Sequence, residues 1–289
     1  KKQVSGYDKG VIPDGCEVLT HGVDIGKKWF YWVVRAYRRD GTGFTIDYGR
    51  HNVYGTKHGS DDGLDRAIHR EILRRIAEFR DTPYSQQFRD SLTLVDSGYR
   101  TEAVYAACRD AGLGVMPIKG IGLSAGVSER ARFNDVMRRT RDREPVCDGI
   151  YCTTIREPKM PAVRLVCASS DQWKAWEHDR WMTAVDKPGC MFLYGHGSED
   201  SSYLSPDQRD HEQYAHHICA EIEVEEVTKE GLKRRWKSIN KENHWLDASY
   251  YADVAAAMKG VRVLSDAVQR TISPELRPTM AQLAQRGKS

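Results

Sequence analysis

Three aspartates in this chain of 289 residues each stand at the end of an apolar run. Asp24 follows Val-Leu-Thr-His-Gly-Val, Asp96 follows Leu-Thr-Leu-Val, and Asp247 follows Asn-His-Trp-Leu. A carboxylate at the end of a buried strand is held rigidly and still faces solvent. Hard cations such as Mg²⁺ and Mn²⁺ prefer carboxylate oxygen, and two of them about 3.5 to 4 Å apart can promote phosphodiester hydrolysis. We therefore treat the three aspartates as candidate catalytic acids and as ligands for two ions.

Each of these acids, taken alone, is better explained as a turn former or a helix cap. Their occurrence in one chain, each behind an apolar run, favours a shared site. Asp253 lies six residues beyond Asp247, nearly two turns further along the same predicted helix. Asp253 could assist a metal ion, so we add it to the candidate metal ligands. The alternative is that its side chain is simply exposed.

The composition is that of an ordinary globular protein, with 40% hydrophobic and 29% charged residues. A net charge of +3, from 44 Lys and Arg against 41 Asp and Glu, does not by itself indicate nucleic-acid binding, so any basic surface must be local. Seven cysteines, an odd number spread over a long chain, predict free thiols in a reducing compartment. No apolar run approaches the roughly 18 residues of a membrane span. Because the sequence starts Lys-Lys-Gln-Val, without an initiator Met, we expect a fragment of a longer protein.

The first 50 residues or so predict an antiparallel meander of three strands. Residues 16–25 and 28–37 are rich in β-branched and aromatic residues on either side of Gly26, and a third such run covers 43–49. The period of the apolar residues then changes to three or four, which predicts an amphipathic helix. Its apolar face consists of Leu64, Ile68, Ile72, Ile76 and Phe79.

A strand, a helix and a second strand follow, over 91–96, 101–111 and 114–118. The two strands of such a unit pair in parallel. Three antiparallel strands extended by two parallel ones give the strand order of the ribonuclease H-like fold, so we predict an α/β, ribonuclease H-like mixed sheet flanked by helices. In that order the first and fourth strands are neighbours, so Asp24 and Asp96 should meet at one end of the sheet.

The second half of the chain is less regular. Residues 120–160 hold six arginines between Arg130 and Arg143 and little apolar periodicity, which predicts a long loop. Residues 161–195 predict a β-hairpin with a short helix between its arms. Beyond these, the pattern predicts a helix over 207–217, strands over 221–227 and 232–239, and a final helix over 246–258.

Three strings of the sequence carry a resemblance to a known family. They are Leu-Thr-His-Gly-Val-Asp-Ile around Asp24, Leu-Val-Asp-Ser-Gly-Tyr around Asp96 with the following Gly-Leu-Gly-Val-Met-Pro-Ile-Lys-Gly, and Asn-His-Trp-Leu-Asp ending at Asp247. In this order they resemble the nuclease domain of large terminase subunits from tailed bacteriophages, especially the lambda-type branch. The resemblance spans residues 18–258, although no motif in 120–205 matches.

The resemblance implies that Asp24, Asp96 and Asp247 are the metal-binding acids of a ribonuclease H-like, divalent-metal-dependent endodeoxyribonuclease. Such a domain cuts concatemeric viral double-stranded DNA during genome packaging, in the host cell cytoplasm. Its partners are an ATPase motor domain in the full-length chain, the small terminase subunit and the portal protein. A motor needs a Gly-x-x-x-x-Gly-Lys-Ser/Thr loop, and the nearest string, from Gly22 to Lys28, is one residue short and lacks the hydroxyl. We therefore expect an isolated nuclease domain that does not bind ATP.

On this basis we divide the chain into three parts. Residues 16–264 form the predicted nuclease domain, and 120–205 is a family-variable insertion within it that holds an inserted β-hairpin or small subdomain. Residues 1–15 are predicted to be a linker remnant, and 265–289 a C-terminal tail.

Basic residues near the predicted site are candidates for DNA contact. Lys119 directly follows a strand of the same sheet, and Arg130, Arg138, Arg139 and Arg141 lie in the arginine-rich stretch beyond it. Such side chains bind phosphates through charge and counterion release. The acids interspersed with these arginines fit a solvated surface of mixed charge equally well.

Two further groups of residues have weaker signals. His211, His216, His217 and Cys219 have metal-like spacing, but no C-x-x-C pair accompanies them, and we interpret them as core or surface residues. The tryptophans at 173, 176 and 181 could stack on bases. We interpret them instead as the core of a small subdomain.

Two alternative functions stay open at this point. The chain could be another ribonuclease H-like nuclease, of the junction resolvase or transposase type, which its substrate would distinguish. It could also be a non-catalytic DNA-binding or portal-docking module, in which the three acids only cap structural elements.

Overall fold

A mixed β-sheet forms the centre of the structure, a computed structural model that describes residues 3–53, 61–122, 129–157, 160–196, 206–228 and 231–261. In chain order the described elements are β1 (Val18–Ile25), β2 (Trp29–Tyr37), β3 (Gly43–Asn52), α1 (Asp61–Arg80), α2 (Pro83–Gln87), β4 (Leu92–Asp96), α3 (Thr101–Ala111), β5 (Val115–Ile121), α4 (Glu129–Arg139), β6 (Glu144–Cys147), β7 (Ile150–Glu157), β8 (Met160–Ser169), α5 (Ser170–Met182), β9 (Met191–Leu193), α6 (Pro206–Ile218), β10 (Glu221–Thr228), β11 (Gly231–Ser238) and α7 (His244–Met258).

The strand order across the central sheet is β6-β7-β8-β5-β4-β1-β2-β3-β9. β1, β2 and β3 are antiparallel neighbours, as the sequence predicts. β4 pairs in parallel with β1, and β5 pairs in parallel with β4. The predicted ribonuclease H-like arrangement of three antiparallel strands extended by parallel ones is therefore confirmed.

Helices cover both faces of this sheet. On one face α1 and α3 pack over β1 and β4, with Ile68, Ile72 and Val104 buried against Val23 and Val95. On the other face α7 packs with Trp173 of α5 against Leu94 and Ile118. The predicted helices over 64–79 and 101–111 are thus confirmed, and α3 ends where Gly112 takes up a φ of +78° that other residues rarely adopt.

The contact between β1 and α7 is unusually close because β1 carries a glycine there. A Cβ atom on Gly22 would lie 1.9 Å from the carbonyl oxygen of Ala248 and 2.8 Å from the backbone nitrogen of Ala252. The facing residues of α7 are small as well, since Ala248, Ala252 and Ala256 are all fully buried. The backbone of α7 therefore rests directly on β1, two residues before Asp24.

The predicted long loop over 120–160 is wrong. This region contains α4, β6 and β7, and β7 pairs with β8 in the central sheet. The predicted hairpin over 161–195 is also wrong, because β8 pairs with β5 whereas β9 pairs with β3 at the opposite edge. The first error arose because the apolar periodicity over 120–160 is too weak to reveal its strands. The second arose because local periodicity does not reveal a strand's partner when that partner lies far away in the sequence.

A separate two-stranded sheet is inserted ahead of α7. β10 and β11 form this antiparallel hairpin, so the strands predicted over 221–227 and 232–239 are confirmed. The predicted helices over 207–217 and 246–258 correspond to α6 and α7.

The N-terminal residues of the chain contact the central sheet. Residues predicted to be a linker remnant run along the sheet, where the backbone nitrogens of Ser5 and Gly10 donate hydrogen bonds to the carbonyl oxygens of Leu193 and Ile46. The predicted tail at 265–289 lies outside the described residues. Among the helices in the described ranges, none combines the length and hydrophobicity needed to cross a bilayer.

Candidate active site

Asp24 and Asp96 end two adjacent parallel strands. Val23 of β1 is in register with Val95 of β4, so the two aspartates occupy the next position on each strand. Both face the side of the sheet that α7 covers, because alternate residues of a strand point to the same face. Thr20 donates a hydrogen bond to the carbonyl oxygen of Ala252 in α7, and Asp96 accepts one of 3.0 Å from the Tyr251 hydroxyl of the same helix.

Asp247 completes the group from the first turn of α7. Gly22 admits this turn against β1, and Ala248, which touches Gly22, follows Asp247 directly. Asp24, Asp96 and Asp247, hereafter the acid cluster, thus come from three elements and meet at one end of the sheet.

Electrostatics support this proximity. Burial and then the charge of Asp24 raise the pKa of Asp96 to about 7. Burial also raises the pKa of Asp247 to about 6, against the lowering effect of Lys174, and Asp24 contributes to the rise. Carboxylates that share a small volume disfavour one another's ionisation, so the acid cluster carries negative charge that a cation would stabilise.

His244 is a further member of this site that was not predicted from the sequence. Its Nδ1 atom lies 2.7 Å from Oδ2 of Asp24, and its ring stacks on Tyr31 with centroids 4.5 Å apart. Against burial, which lowers it, the hydrogen bond to Asp24 raises the pKa of His244. The signal was present, since His244 stands inside the string that ends at Asp247.

The residues that hold Asp247 were not predicted from the sequence either. The Nζ atom of Lys174 in α5 lies 2.9 Å from Oδ1 of Asp247 and 2.9 Å from Oε2 of Glu221 in β10. The side-chain amide of Asn243 donates to the same two carboxylates, at 2.9 Å and 2.6 Å. We call these four residues the Lys174 bridge. No sequence signal pointed to Lys174 or Glu221, because their positions depend on how α5 and β10 pack against α7.

The structure places Asp253 apart from the acid cluster. Its side chain is fully buried, and its Oδ1 atom accepts hydrogen bonds from Arg35, Arg180 and Tyr37 at 2.8, 2.6 and 2.6 Å. Although burial opposes the charged form, Arg180 and Arg35 lower the pKa of Asp253 to about 2. With Glu177, which pairs with Arg35, these residues form a buried ion network. We therefore omit Asp253 from the proposed metal ligands.

Of the candidate DNA-binding residues, four have side chains that the structure describes, and none of these four lies in the acid cluster. Lys119 is exposed at the end of β5, but it is in register with Cys167, whose side chain packs on the opposite face of the sheet. Arg138 and Arg139 are exposed on α4 and lie 3.9 and 3.6 Å from Asp135, while Arg141 is exposed just after that helix. The side chain of Arg130 lies outside the described residues. DNA contact by this surface stays a prediction.

Histidines with metal-like spacing and tryptophans of the predicted subdomain core take part in packing and hydrogen bonding. His211 contacts the Tyr48 hydroxyl at 2.7 Å and the Tyr194 carbonyl oxygen at 2.9 Å, and His217 is buried against Trp245. Trp173 is fully buried in the main core instead of a small subdomain. In the described part of the chain, no three His, Cys, Asp or Glu side chains form a ready-made metal-ligand set. At the acid cluster, Asp247 directs its two oxygens to Lys174 and Asn243 instead.

The fold is thus a ribonuclease H-like sheet that carries acids at the ends of two adjacent parallel strands, β1 and β4. The chain belongs to the family described as the terminase large subunit gpA endonuclease domain, whose model matches residues 1–269. As a member of a family of endonuclease domains, it is a hydrolase that acts on DNA.

Comparison with solved structures gives distant likenesses. A large terminase from a thermophilic bacteriophage has 10% identity and a TM-score of 0.41 over 88% of this chain and 42% of that chain. T. thermophilus RuvC in complex with a Holliday junction substrate has 17% identity and a TM-score of 0.26 over 35% of this chain and 62% of that chain. The chain therefore spans less than two thirds of either structure. A search of curated proteins finds no match.

Proposed function

We propose that the chain is a divalent-metal-dependent DNA endonuclease in which Asp24, Asp96 and Asp247 hold two Mg²⁺ or Mn²⁺ ions. The observation that carries the proposal is the meeting of three carboxylates from β1, β4 and α7 at one end of the sheet.

The donor set suits such ions. All three side chains offer carboxylate oxygen, which hard cations prefer over nitrogen or sulfur. Burial first, and then the charge of Asp24, raises the pKa of both Asp96 and Asp247, and a bound cation would stabilise their charged forms. When bound, the ions would neutralise charge on the scissile phosphate and activate the attacking water.

The chain's own residues would orient these ligands. The backbone nitrogen of Gly98 and the Tyr251 hydroxyl donate to Oδ1 of Asp96, which leaves Oδ2 available. His244 donates to Oδ2 of Asp24 and so fixes the rotation of that carboxylate. Such supporting hydrogen bonds are commonly worth about 10- to 100-fold in metal affinity or activity.

Plasmid cleavage in the presence of Mn²⁺ tests the proposal. We expect Asp24→Asn to lower the cleavage rate by about a hundredfold or more, because the substitution removes a charged ligand. Asp186→Asn serves as a matched control, since Asp186 is exposed beyond α5, and should cleave like the parent chain. Undiminished cleavage by a folded Asp24→Asn variant would refute the assignment and favour a non-catalytic DNA-binding or portal-docking module.

We further propose that the substrate is concatemeric viral double-stranded DNA, cut during genome packaging in the host cell cytoplasm. The family assignment supports this substrate. The proposed partners are an ATPase motor domain in the full-length chain, the small terminase subunit and the portal protein. A strong preference for four-way junctions over linear duplex DNA would instead indicate a resolvase-like nuclease.

A further inference from the structure

Lys174 is the only lysine among the described residues that is both buried and in contact with a member of the acid cluster. Its side chain is 10% exposed, and its Nζ atom lies 5.9 Å from the centre of the Tyr250 ring. A buried ammonium group is costly unless it is paired. The structure pairs it twice, with Asp247 and with Glu221, at 2.9 Å each.

Asp247 and Glu221, the two carboxylates of the Lys174 bridge, have the same two partners. Each receives one oxygen contact from Lys174 and another from Asn243. Asp247 lies in the first turn of the helix that packs on β1, whereas Glu221 begins the first strand of the inserted hairpin. Only Asp247 belongs to the acid cluster. Lys174 therefore has one partner that the proposed reaction needs and one that it does not.

We propose that Lys174 is the internal counter-ion of the proposed metal site: it neutralises Asp247 while no divalent cation is bound and stays paired with Glu221 alone when Asp247 turns to a cation. The inference rests on the proposed function, because it takes Asp247 to be a metal ligand. It makes Lys174 a positioning residue that competes with the cation for Asp247. Glu221 lowers the cost of that exchange, because the ammonium group never loses both of its partners.

The two partners make opposite predictions for metal affinity. Lys174→Met retains a long unbranched stem but removes the competing charge, so Mn²⁺ should bind more tightly. In Glu221→Gln, Lys174 has only Asp247 as a charged partner, so Mn²⁺ should bind more weakly. We expect changes of roughly tenfold in Kd in each direction, within the range usual for coupling between two binding events.

Mn²⁺ binding can be measured without DNA on the full 289-residue chain, by the electron paramagnetic resonance signal of free Mn²⁺. Lys187→Met is the matched control, because Lys187 is exposed and pairs only loosely, at 3.7 Å, with Asp186; its Kd should match that of the parent chain. Lys174→Arg keeps the charge and should stay close to the parent value. Circular dichroism and the melting temperature establish that each variant is folded.

A double variant separates the exchange from simple loss of charge. If Glu221 acts through Lys174, then Glu221→Gln should change the Kd much less in the Lys174→Met background than in the parent chain. Equal effects in both backgrounds would contradict the exchange. An unchanged or weaker Kd in folded Lys174→Met would also contradict it. Should Lys174→Met fail to fold, Glu221→Gln alone decides, because an unchanged Kd there contradicts the inference.

The outcomes also distinguish this inference from the proposed function. If Asp24→Asn abolishes Mn²⁺ binding while neither bridge variant changes it, the metal site stands and the role of Lys174 is wrong. If Asp24→Asn binds Mn²⁺ like the parent chain, the metal site itself is wrong.

Discussion

His21 is a fully buried imidazole whose surroundings exclude its charged form. Its ring stacks on Phe79 at 4.5 Å, and its Nε2 atom has no hydrogen-bond partner. Burial, with a further contribution from the charge of Arg75, lowers the pKa of His21 well below its usual range. In the unfolded chain, His21 therefore binds a proton as the pH falls through about 6.5, whereas in the folded chain it stays neutral at that pH.

This difference sets the sign of a pH effect. The stability that neutral His21 contributes is present above about pH 6.5 and is lost as the pH falls below it. We expect His21→Phe, which keeps the stacked ring, to reduce the fall in unfolding free energy on acidification by up to about 1.4 kcal/mol per pH unit. Urea unfolding between pH 7.5 and 5 measures the slope. His196→Phe, at an exposed histidine, should leave it unchanged, and identical slopes for His21→Phe and the parent chain would contradict the argument.

For individual residues, the sequence predicts the positions of the acids better than those of the side chains that contact them. Asp24 and Asp96 were predictable neighbours because strand order alone brings the ends of β1 and β4 together. Lys174 was not, since its contact with Asp247 depends on the docking of α5 against α7. Asp253 was predicted to be a possible metal ligand because it lies on the same helix as Asp247. Its carboxylate instead accepts hydrogen bonds from two arginines of other elements.

At the level of secondary-structure elements, the placement of α7 against β1 depends on Gly22. A methyl group on Gly22 would overlap the carbonyl oxygen of Ala248, so Gly22→Ala must push α7 away from β1. We expect a loss of about 1 to 3 kcal/mol in unfolding free energy, the usual scale of overpacking. We also expect a loss of cleavage that exceeds the loss of folded protein, because Asp247 moves with α7.

Gly26→Ala is the matched control for this prediction. A Cβ atom there would lie 3.3 Å from the carbonyl oxygen of Trp29, a contact that a small shift relieves, so the loss of stability should be smaller. Chemical denaturation and plasmid cleavage on the same preparations measure both effects. Equal stability of the Gly22→Ala and parent chains would contradict the close-contact argument.

Elements with local signals were predictable, and those defined by distant partners were not. The meander follows from runs of β-branched and aromatic residues, α1 from helical periodicity, and the end of α3 from Gly112. The placement of β8 beside β5 follows from a pairing of Ile118 with Val166 that no local pattern encodes. Weak apolar periodicity predicted a loop over 120–160, although β7 lies in the central sheet.

At the scale of the whole molecule, the buried ion network joins β2, α5 and α7. Arg35 of β2 pairs with Glu177 of α5 and Asp253 of α7, and all three side chains are fully buried. Removal of one partner from a buried ion pair typically costs about 3 to 5 kcal/mol, because the remaining charge is left unpaired. The network therefore makes the two helices behind the acid cluster depend on each other.

We predict that Asp253→Asn lowers the unfolding free energy by about 3 to 5 kcal/mol but leaves the Kd for Mn²⁺ of the folded protein unchanged. Urea denaturation measures the first quantity and electron paramagnetic resonance the second. Asp186→Asn again provides the exposed counterpart. A weakened Kd at full stability would return Asp253 to the metal ligands.

The hydrogen bond between Asp24 and His244 joins residues 220 positions apart. The acid cluster likewise combines the first strand of the sheet with the last helix described, and a high share of contacts of such long range is typical of slow folding. A nascent chain still on the ribosome carries Asp24 and Asp96 long before Asp247 is made. Under the proposed function, a chain that stops before α7 would lack one of the three acids and would not cut DNA.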